Sequence, residues 1–225
     1  MATPHAAEAT MLEHLIQRAA QLAAHAARRA RSRAAHDGSR GAPPPAWLFL
    51  RECLRDPAAM GAVCASSGAL ADCIAHQLDL DQPGWIVELG AGTGAVTAAL
   101  LRRGVAPERL IVVERSRRMV RQLRQRFPHL RVIEGDAGDA QLAARSGAPL
   151  AAVVSGLPLR SLPASQVARV TATWASALGP GARLIQFTYA RGGASPWMAA
   201  GLRRHGVASV WRNLPPARVE VFQAA

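Results

Sequence analysis

The sequence predicts an α/β protein with a doubly wound, mostly parallel seven-stranded sheet, a terminal antiparallel hairpin and additional N-terminal helices. From Trp85 onward, short apolar runs typical of buried strands alternate with helical stretches, a pattern that favours right-handed crossovers and a parallel sheet. The last two strand-like runs, GVASVWRN and ARVEVFQ, are joined by Leu214-Pro215-Pro216 without a helix, so we expect them to pair antiparallel. The parallel strands are expected in WIVELG, LIVVE, LRVIEG, LAAVVSG and ARLIQFTYA, separated by the helical stretches AVTAALLRRG, SRRMVRQLRQRF and ASQVARVTATWASAL.

The first part of the chain predicts a separate amphipathic segment. In residues 1–40, apolar side chains recur at steps of three and four from Met11 to Ala26, and a cluster of arginines follows. A basic helix of this kind could contact a membrane surface, whereas an alanine-rich helix packed on the domain is the alternative. Residues 41–46 are expected to form a Pro-rich linker, and residues 47–225 to form the main domain.

Charge is the most informative property of the composition. The formal net charge is +12, every basic residue other than histidine is arginine, and residues 137–225 contain nine arginines against two acids. This excess indicates an anionic partner, either a nucleic acid or a membrane surface. Three cysteines without ligand spacing favour a reducing cytosol, and the seven histidines form no metal-binding motif, so we expect no metal. No apolar run reaches the length of a membrane span.

The segment VELGAGTGAV, Val87 to Val96, predicts a ligand site at the end of the first strand. Gly90, Gly92 and Gly94 allow a tight turn and let a ligand approach the backbone closely. Twenty residues after Gly94, Glu114 ends the second strand, where a carboxylate can accept hydrogen bonds from both hydroxyls of a ribose. The two strand ends therefore predict a site for a nucleoside cofactor.

Three features favour S-adenosylmethionine over a nicotinamide, although Gly90 to Ala95 also fits the dinucleotide pattern. Glu88 precedes the first glycine by two residues, where an acid can act on the ammonium group of the cofactor directly or through water. Gly135-Asp136-Ala137 follows the third strand, where an aspartate can bind the adenine amino group. We expect no second domain that could hold a hydride acceptor.

The run from Glu88 to Gly94, together with Glu114, Asp136-Ala137 and the turn Leu178 to Gly181, resembles the class I S-adenosylmethionine-dependent methyltransferases over residues 60–225. More narrowly, VVSGLPLRSLP, LIQFTYA and VWRNLPPARV are similar to the bacterial phospholipid N-methyltransferases, the soluble kind that act on phosphatidylethanolamine. The neighbouring family is the ribosomal RNA adenine dimethyltransferases. The resemblance implies a cofactor site formed by Glu88, Gly90, Ala91, Gly92, Thr93, Gly94, Glu114, Arg115, Asp136, Ala137, Ser155 and Gly156.

The loop after the fourth strand bears on the substrate. An enzyme that methylates adenine must flip the base and stack it on an aromatic ring. Leu159 occupies that ring position here, and Ser155-Gly156 replaces the family's asparagine. The small apolar loop is instead compatible with a narrow primary amine, and we expect Ser155, Leu157 and Tyr189 to form the catalytic centre.

Methylation of an amine requires the neutral form, and an ethanolamine amine has a pKa of about 10, like that of lysine. Because desolvation lowers the pKa of an amine, a dry pocket that positions the substrate can supply much of the catalysis. Tyr189 could hold the methylated head group through a cation–π contact or orient the amine through its hydroxyl. Arg160 and Arg191 follow the fourth and fifth strands, where they could bind a lipid phosphate.

The sequence thus predicts a monomeric, cytoplasmic N-methyltransferase, peripheral on the inner face of the membrane, whose partners are anionic membrane and phosphatidylethanolamine. Two alternatives stay open: an enzyme similar to the rRNA adenine N6-methyltransferases, and a non-catalytic protein that binds S-adenosylmethionine or RNA. RNA is the less favoured partner because of Leu159.

Overall fold

The structure, a computed structural model, describes residues 68–145, 149–190, 192–213 and 216–224. The predicted N-terminal helix in residues 1–40, the linker 41–46 and residues 47–67 of the predicted domain lie outside these ranges.

The predicted fold class is confirmed by one sheet of seven strands. The strands are β1 (Trp85–Leu89), β2 (Leu110–Glu114), β3 (Arg131–Glu134), β4 (Leu150–Ser155), β5 (Arg183–Thr188), β6 (Leu202–Val210) and β7 (Ala217–Ala224). Their order in the sheet is β3-β2-β1-β4-β5-β7-β6. The strands β1 to β5 are parallel, and β7 pairs antiparallel with both β5 and β6.

Helices cover both faces of this sheet, as the continuous apolar character of the inner strands requires. In β4 all six residues are buried. The helices are α1 (Gly68–His76), α2 (Ala95–Arg102), α3 (Arg117–Arg126), α4 (Ala140–Arg145), α5 (Ala164–Ala177) and α6 (Pro196–Ala199). One face of the sheet packs against α1, α2 and α3, and the other packs against α4, α5 and α6.

Two short helices and one strand boundary differ from the expected pattern. α4 and α6 have six and four residues, too few to show a helical repeat of apolar positions. β6 begins at Leu202, well before the predicted run GVASVWRN. It is an edge strand with exposed side chains at Arg203, Arg204 and His205, so the start of the strand has no apolar alternation.

The crossover order brings the carboxyl ends of β1 to β5 to one edge of the sheet, and we call this the carboxyl edge. The end of β6 and the start of β7 lie there too, because β7 is antiparallel to both of its neighbours. Ligands of doubly wound sheets bind at this edge. Within the described ranges, no helix combines the length and apolar character that crossing a bilayer requires.

One buried hydrogen bond connects the outer helix layer to the carboxyl edge. Trp174 of α5 is fully buried, and its indole N–H donates to the carbonyl oxygen of Ala137 at 2.7 Å. We expect Trp174→Phe to lower the free energy of unfolding by about 1–3 kcal/mol, because it leaves a buried acceptor without its donor. Urea denaturation measures this change. The matched control Trp211→Phe, at a position 79% exposed, should stay within about 0.5 kcal/mol of the wild type, and equal losses in both variants would contradict the assignment.

Candidate functional site

The strand ends at the carboxyl edge are joined by backbone hydrogen bonds that continue the sheet by one residue. Gly90 donates its N–H to Val113 at 2.8 Å, and Gly156 donates to Leu89 at 2.8 Å. The N–H of Gly135 reaches the carbonyl of Glu114 at 3.1 Å. The loops that follow β1, β3 and β4 are therefore fixed relative to one another where the cofactor site was predicted.

Close backbone approach explains two of the predicted glycines. Gly90 has φ 72°, in the left-handed region, and a Cβ there would lie 2.7 Å from Cδ2 of Leu157. A Cβ on Gly156 would lie 2.6 Å from the carbonyl oxygen of Gly90. Gly92 and Gly94 of the same loop also have positive φ angles, and a Cβ added to Gly92 would have no atom within 4 Å. The loop is thus packed against β4 on one side and open at Gly92.

Glu114 lies at the centre of this loop cluster. One carboxylate oxygen accepts the N–H of Gly92 at 2.9 Å, and the other accepts the N–H of Ser116 at 2.8 Å. Each carboxylate oxygen has a further lone pair, so the group can also accept hydrogen bonds from the two hydroxyls of a ribose. Its partly buried position at the end of β2, facing the open Gly92, fits the predicted role.

Glu88 is buried, with 1% of its surface exposed, on the α2 side of the sheet. The hydroxyl of Thr97 donates to its carboxylate at 2.6 Å. Burial raises the pKa of Glu88 to about 7, while the Thr97 hydroxyl and N–H lower it and the nearby Glu114 carboxylate raises it. A carboxyl whose pKa lies near neutral pH can lose its proton when a cation such as an ammonium group binds beside it.

The predicted adenine contacts follow β3. The carboxylate of Asp136 is exposed and accepts the N–H of Gly138 at 2.8 Å, which leaves its outer oxygen accessible. Ala137 is buried and anchored through its carbonyl to Trp174. Of the other predicted contacts, Thr93 and Arg115 have exposed side chains.

The last residue of β4 has an unpaired polar group, and the loop that follows has a carbonyl fixed by two hydrogen bonds. The hydroxyl of Ser155 is buried and has no hydrogen-bond partner among the described residues. The carbonyl oxygen of Leu157 accepts the N–H of Leu159 at 2.9 Å and the side-chain amide of Gln186 at 3.1 Å. With its two lone pairs engaged, this carbonyl fixes the loop, and the Leu157 side chain covers Gly90.

Gln186 is a site residue that the sequence reasoning missed. It lies in β5 beside Ser155 in the sheet register, and the indole N–H of buried Trp197 donates to its amide oxygen at 3.1 Å. Gln186 thereby ties the loop after β4 to α6. A lone glutamine within the apolar run LIQFT was the signal that could have drawn attention to it.

Leu159 does not lie at the surface of the loop. It begins a short 3₁₀ turn, is 5% exposed and packs in the core with the α5 side of the sheet. The position that carries an aromatic ring in the adenine methylases is thus occupied by an aliphatic side chain turned into the core.

Tyr189 follows β5 and lines a pocket of 320 Å³ at the carboxyl edge. Asn213 donates its side-chain amide to the tyrosine hydroxyl at 3.4 Å, and the ring of Phe187 packs edge-on at 5.7 Å. Burial raises the pKa of Tyr189 above its ordinary value, while the Asn213 contact opposes the shift. The phenol is therefore neutral near pH 7, and it offers the pocket a hydroxyl group and an aromatic ring.

Arg160 joins the loops after β4 and β5. Its guanidinium donates to the carbonyl oxygens of Gly192 at 3.1 Å and Ala194 at 3.3 Å, and the side chain remains exposed. A phosphate contact by Arg160 stays a prediction, and Arg191 lies outside the described residues. Among the residues the structure describes, no three His, Cys, Asp or Glu side chains are grouped to hold a metal ion.

The carboxyl edge as a whole fits a nucleoside cofactor with a cationic amino-acid part. Glu114 offers acceptors for the ribose, Asp136 offers an acceptor for an adenine amino group, and Glu88 offers a carboxyl for an ammonium. The unpaired Ser155 hydroxyl at the end of β4 adds a polar group that a ligand can satisfy.

Comparisons with known proteins agree with this geometry. Residues 86–181 match the family model described as a methyltransferase domain. The chain is 32% identical over 181 residues to an ornithine lipid N-methyltransferase of Singulisphaera acidiphila, covering 76% of this chain and 92% of that protein. It is 39% identical over 127 residues to a ribosomal RNA small subunit methyltransferase A of Anaeromyxobacter dehalogenans, covering 52% of this chain and 44% of that protein.

The fold is shared with solved methyltransferases. A TehB-like S-adenosylmethionine-dependent methyltransferase from Corynebacterium glutamicum superposes with a TM-score of 0.56 at 20% identity. The match covers 81% of this chain and all of that protein.

The raised pKa of Glu88 predicts a specific pH dependence of stability. The folded protein holds this proton more tightly than the unfolded chain, so the stability from the neutral carboxyl is complete below the ordinary pKa of 4.5 and is lost as the pH rises to about 7. We therefore expect the free energy of unfolding of Glu88→Gln, relative to that of the wild type, to rise by about 3 kcal/mol between pH 4.5 and about pH 7. Above this window the difference should stay constant. Urea denaturation between pH 4.5 and 8 measures the difference. Thr97→Val should extend the window to higher pH, and parallel curves for all three proteins would disprove the coupling.

The position of Glu114 predicts its effect on cofactor affinity. Glu114→Ala should weaken binding of S-adenosylhomocysteine about 10- to 100-fold, because charged hydrogen bonds of roughly 1.5–3 kcal/mol are lost. Calorimetric titration measures this dissociation constant. The matched control is Glu134→Ala, since Glu134 lies beside Glu114 in the sheet register but is exposed and paired with Arg117. An equal dissociation constant for Glu114→Ala and Glu134→Ala would rule out the ribose assignment.

Proposed function

Since the chain belongs to the class I S-adenosylmethionine-dependent methyltransferases, we propose that it methylates the primary amine of a membrane lipid, with phosphatidylethanolamine as the first expected substrate. The observation that carries this proposal is the loop after β4. Apart from Arg160, which bonds the loop after β5, its side chains are small or aliphatic, Leu157 covers the glycine loop, and Leu159 is turned into the core.

The loop lacks the group that base methylation needs. A flipped adenine is held by stacking on an aromatic ring, and such a contact contributes about 1–3 kcal/mol per base. The described part of this loop, Ser155 to Pro163, contains no aromatic residue. A narrow aliphatic amine needs no stacking surface, so it fits this loop better than a base.

The extent of the similarities supports the same substrate class. The match to the ornithine lipid enzyme covers 92% of that protein, whereas the match to the ribosomal RNA enzyme covers 44%. An ornithine lipid and phosphatidylethanolamine share an amine head group on an apolar body. We therefore treat the ornithine lipid as the second acceptor to test.

Methyl transfer to an amine requires that the amine be neutral and held in position. S-Adenosylmethionine supplies an electrophilic methyl group on a sulfonium. An alkylammonium with a pKa of about 10 must first lose a proton, and the apolar surface of Leu157 favours the neutral form by excluding water. Tyr189 can accept or donate one hydrogen bond at the amine, and its ring can stabilise the cationic product. No buried base is required if water carries the proton away.

Ribosomal RNA is the second candidate substrate. The 39% identity to the ribosomal RNA methyltransferase and the net charge of +12 favour it. The buried Leu159 and the limited extent of that match argue against it.

Within the lipid proposal, the protein works as a monomer at the cytoplasmic face of an anionic membrane.

Radiolabelled methyl transfer separates these acceptors. We expect label in vesicles that contain phosphatidylethanolamine or an ornithine lipid, and none in matched vesicles in which phosphatidylglycerol replaces the amine lipid. Purified small-subunit ribosomal RNA should remain unlabelled under the same conditions. Glu114→Ala, which lacks the ribose acceptor, should lose most of the signal at limiting cofactor.

The other outcomes would indicate a different substrate or a protein without methyltransferase activity. Label in ribosomal RNA but in neither lipid would replace the lipid proposal with the RNA alternative. Label in no acceptor, with S-adenosylhomocysteine still bound, would favour the hypothesis that the protein binds the cofactor without catalysing methyl transfer. A preference for the ornithine lipid would retain the reaction and correct the first expected substrate.

A further inference from the structure

The turn at the end of β6 displays a tryptophan to solvent. Trp211 is 79% exposed, the largest value among the exposed large apolar side chains of the described residues, and Arg212 beside it is exposed too. The residues on either side, Val210 and Asn213, are 7% and 4% exposed. A fixed turn therefore presents a Trp-Arg pair outward rather than burying its most apolar member.

This turn is attached to the pocket of Tyr189. The side chain of Asn213 bonds the tyrosine hydroxyl at 3.4 Å, and its backbone N–H bonds the carbonyl of Val210 at 3.4 Å. Trp211 itself lines the pocket together with Thr188 and Ser209. The indole consequently stands at the mouth of the pocket, at the same edge of the sheet as the cofactor site.

The exposed charge at this turn is positive. Arg212 lies in the turn, and Arg218 of β7 is paired in the sheet register with Ser209 of β6 beside it. Glu220, the only acid among the described residues 149–224, is 4% exposed, and both Arg204 and Arg218 bond its carboxylate. Such a surface attracts anionic head groups.

We propose that Trp211 and Arg212 contact the surface of a bilayer rich in anionic lipid, with the indole at the depth of the head groups and the pocket mouth facing the membrane. Tryptophan favours this interfacial region because its ring is apolar and its N–H is polar. A lipid amine can then enter the pocket of Tyr189 without its acyl chains crossing water. The proposal rests on the proposed lipid function for its purpose, but the membrane contact can be measured without any methyl acceptor.

The test is co-sedimentation of the full chain with vesicles of phosphatidylglycerol and phosphatidylcholine, which offer no amine to methylate. We expect Trp211→Ala to weaken partitioning about tenfold, from the loss of a buried aromatic surface. Arg212→Gln should weaken it about fivefold on these vesicles and leave binding to pure phosphatidylcholine unchanged. The control Met198→Ala removes an exposed apolar side chain of α6, which leads into the opposite end of β6, and should change nothing.

S-Adenosylhomocysteine titration of each variant verifies the fold and the cofactor site. Unchanged vesicle binding by Trp211→Ala would overturn the proposal, as would an equal loss in Met198→Ala. Weaker binding to ribosomal RNA by Trp211→Ala, with vesicle binding intact, would assign the turn to a nucleic acid instead. If vesicle binding needs Trp211 but no lipid is methylated, the membrane contact stands and the proposed lipid substrate fails.

Discussion

Where β1 and β4 end, the N–H of Gly156 bonds the carbonyl of Leu89, and the α-carbon of Gly156 lies against the carbonyl of Gly90. This approach leaves no room for a side chain, so the two loops stack directly on each other. Leu157 is consequently placed over the glycine loop, and Gln186 with Trp197 holds it there. The relation between the cofactor loop and the acceptor loop thus depends on one backbone contact between neighbouring strands.

Glu88 and Glu114, on adjacent strands, have different electrostatic properties in the site. Glu114 is satisfied by backbone N–H groups and orders the loops around it. Glu88 is held out of water by α2 with one hydroxyl donor, and burial brings its pKa to about 7. The sheet therefore presents a fixed acceptor beside a group whose charge responds to its neighbours.

The sheet, the glycine loop and the carboxylates at the strand ends could be predicted because each leaves a local pattern in the sequence. The partners of these groups could not, since Thr97 looks like any polar helix residue and Gln186 meets Leu157 only through the parallel pairing of β4 and β5. Arg160 shows the same limit: its place after β4 was foreseeable, but its bonds to Gly192 and Ala194 depend on how the next loop returns. Pattern thus predicts where a side chain lies, and tertiary pairing decides what it contacts.

The strand order has a consequence for how the molecule assembles. Within the described sheet β6 pairs only with β7, although β7 comes later in the chain and lies between β5 and β6. The edge strand is therefore attached to the sheet only through the strand that follows it. The part of the Tyr189 pocket wall formed by Ser209 and Trp211 consequently keeps its place by the pairing of β7 with β5.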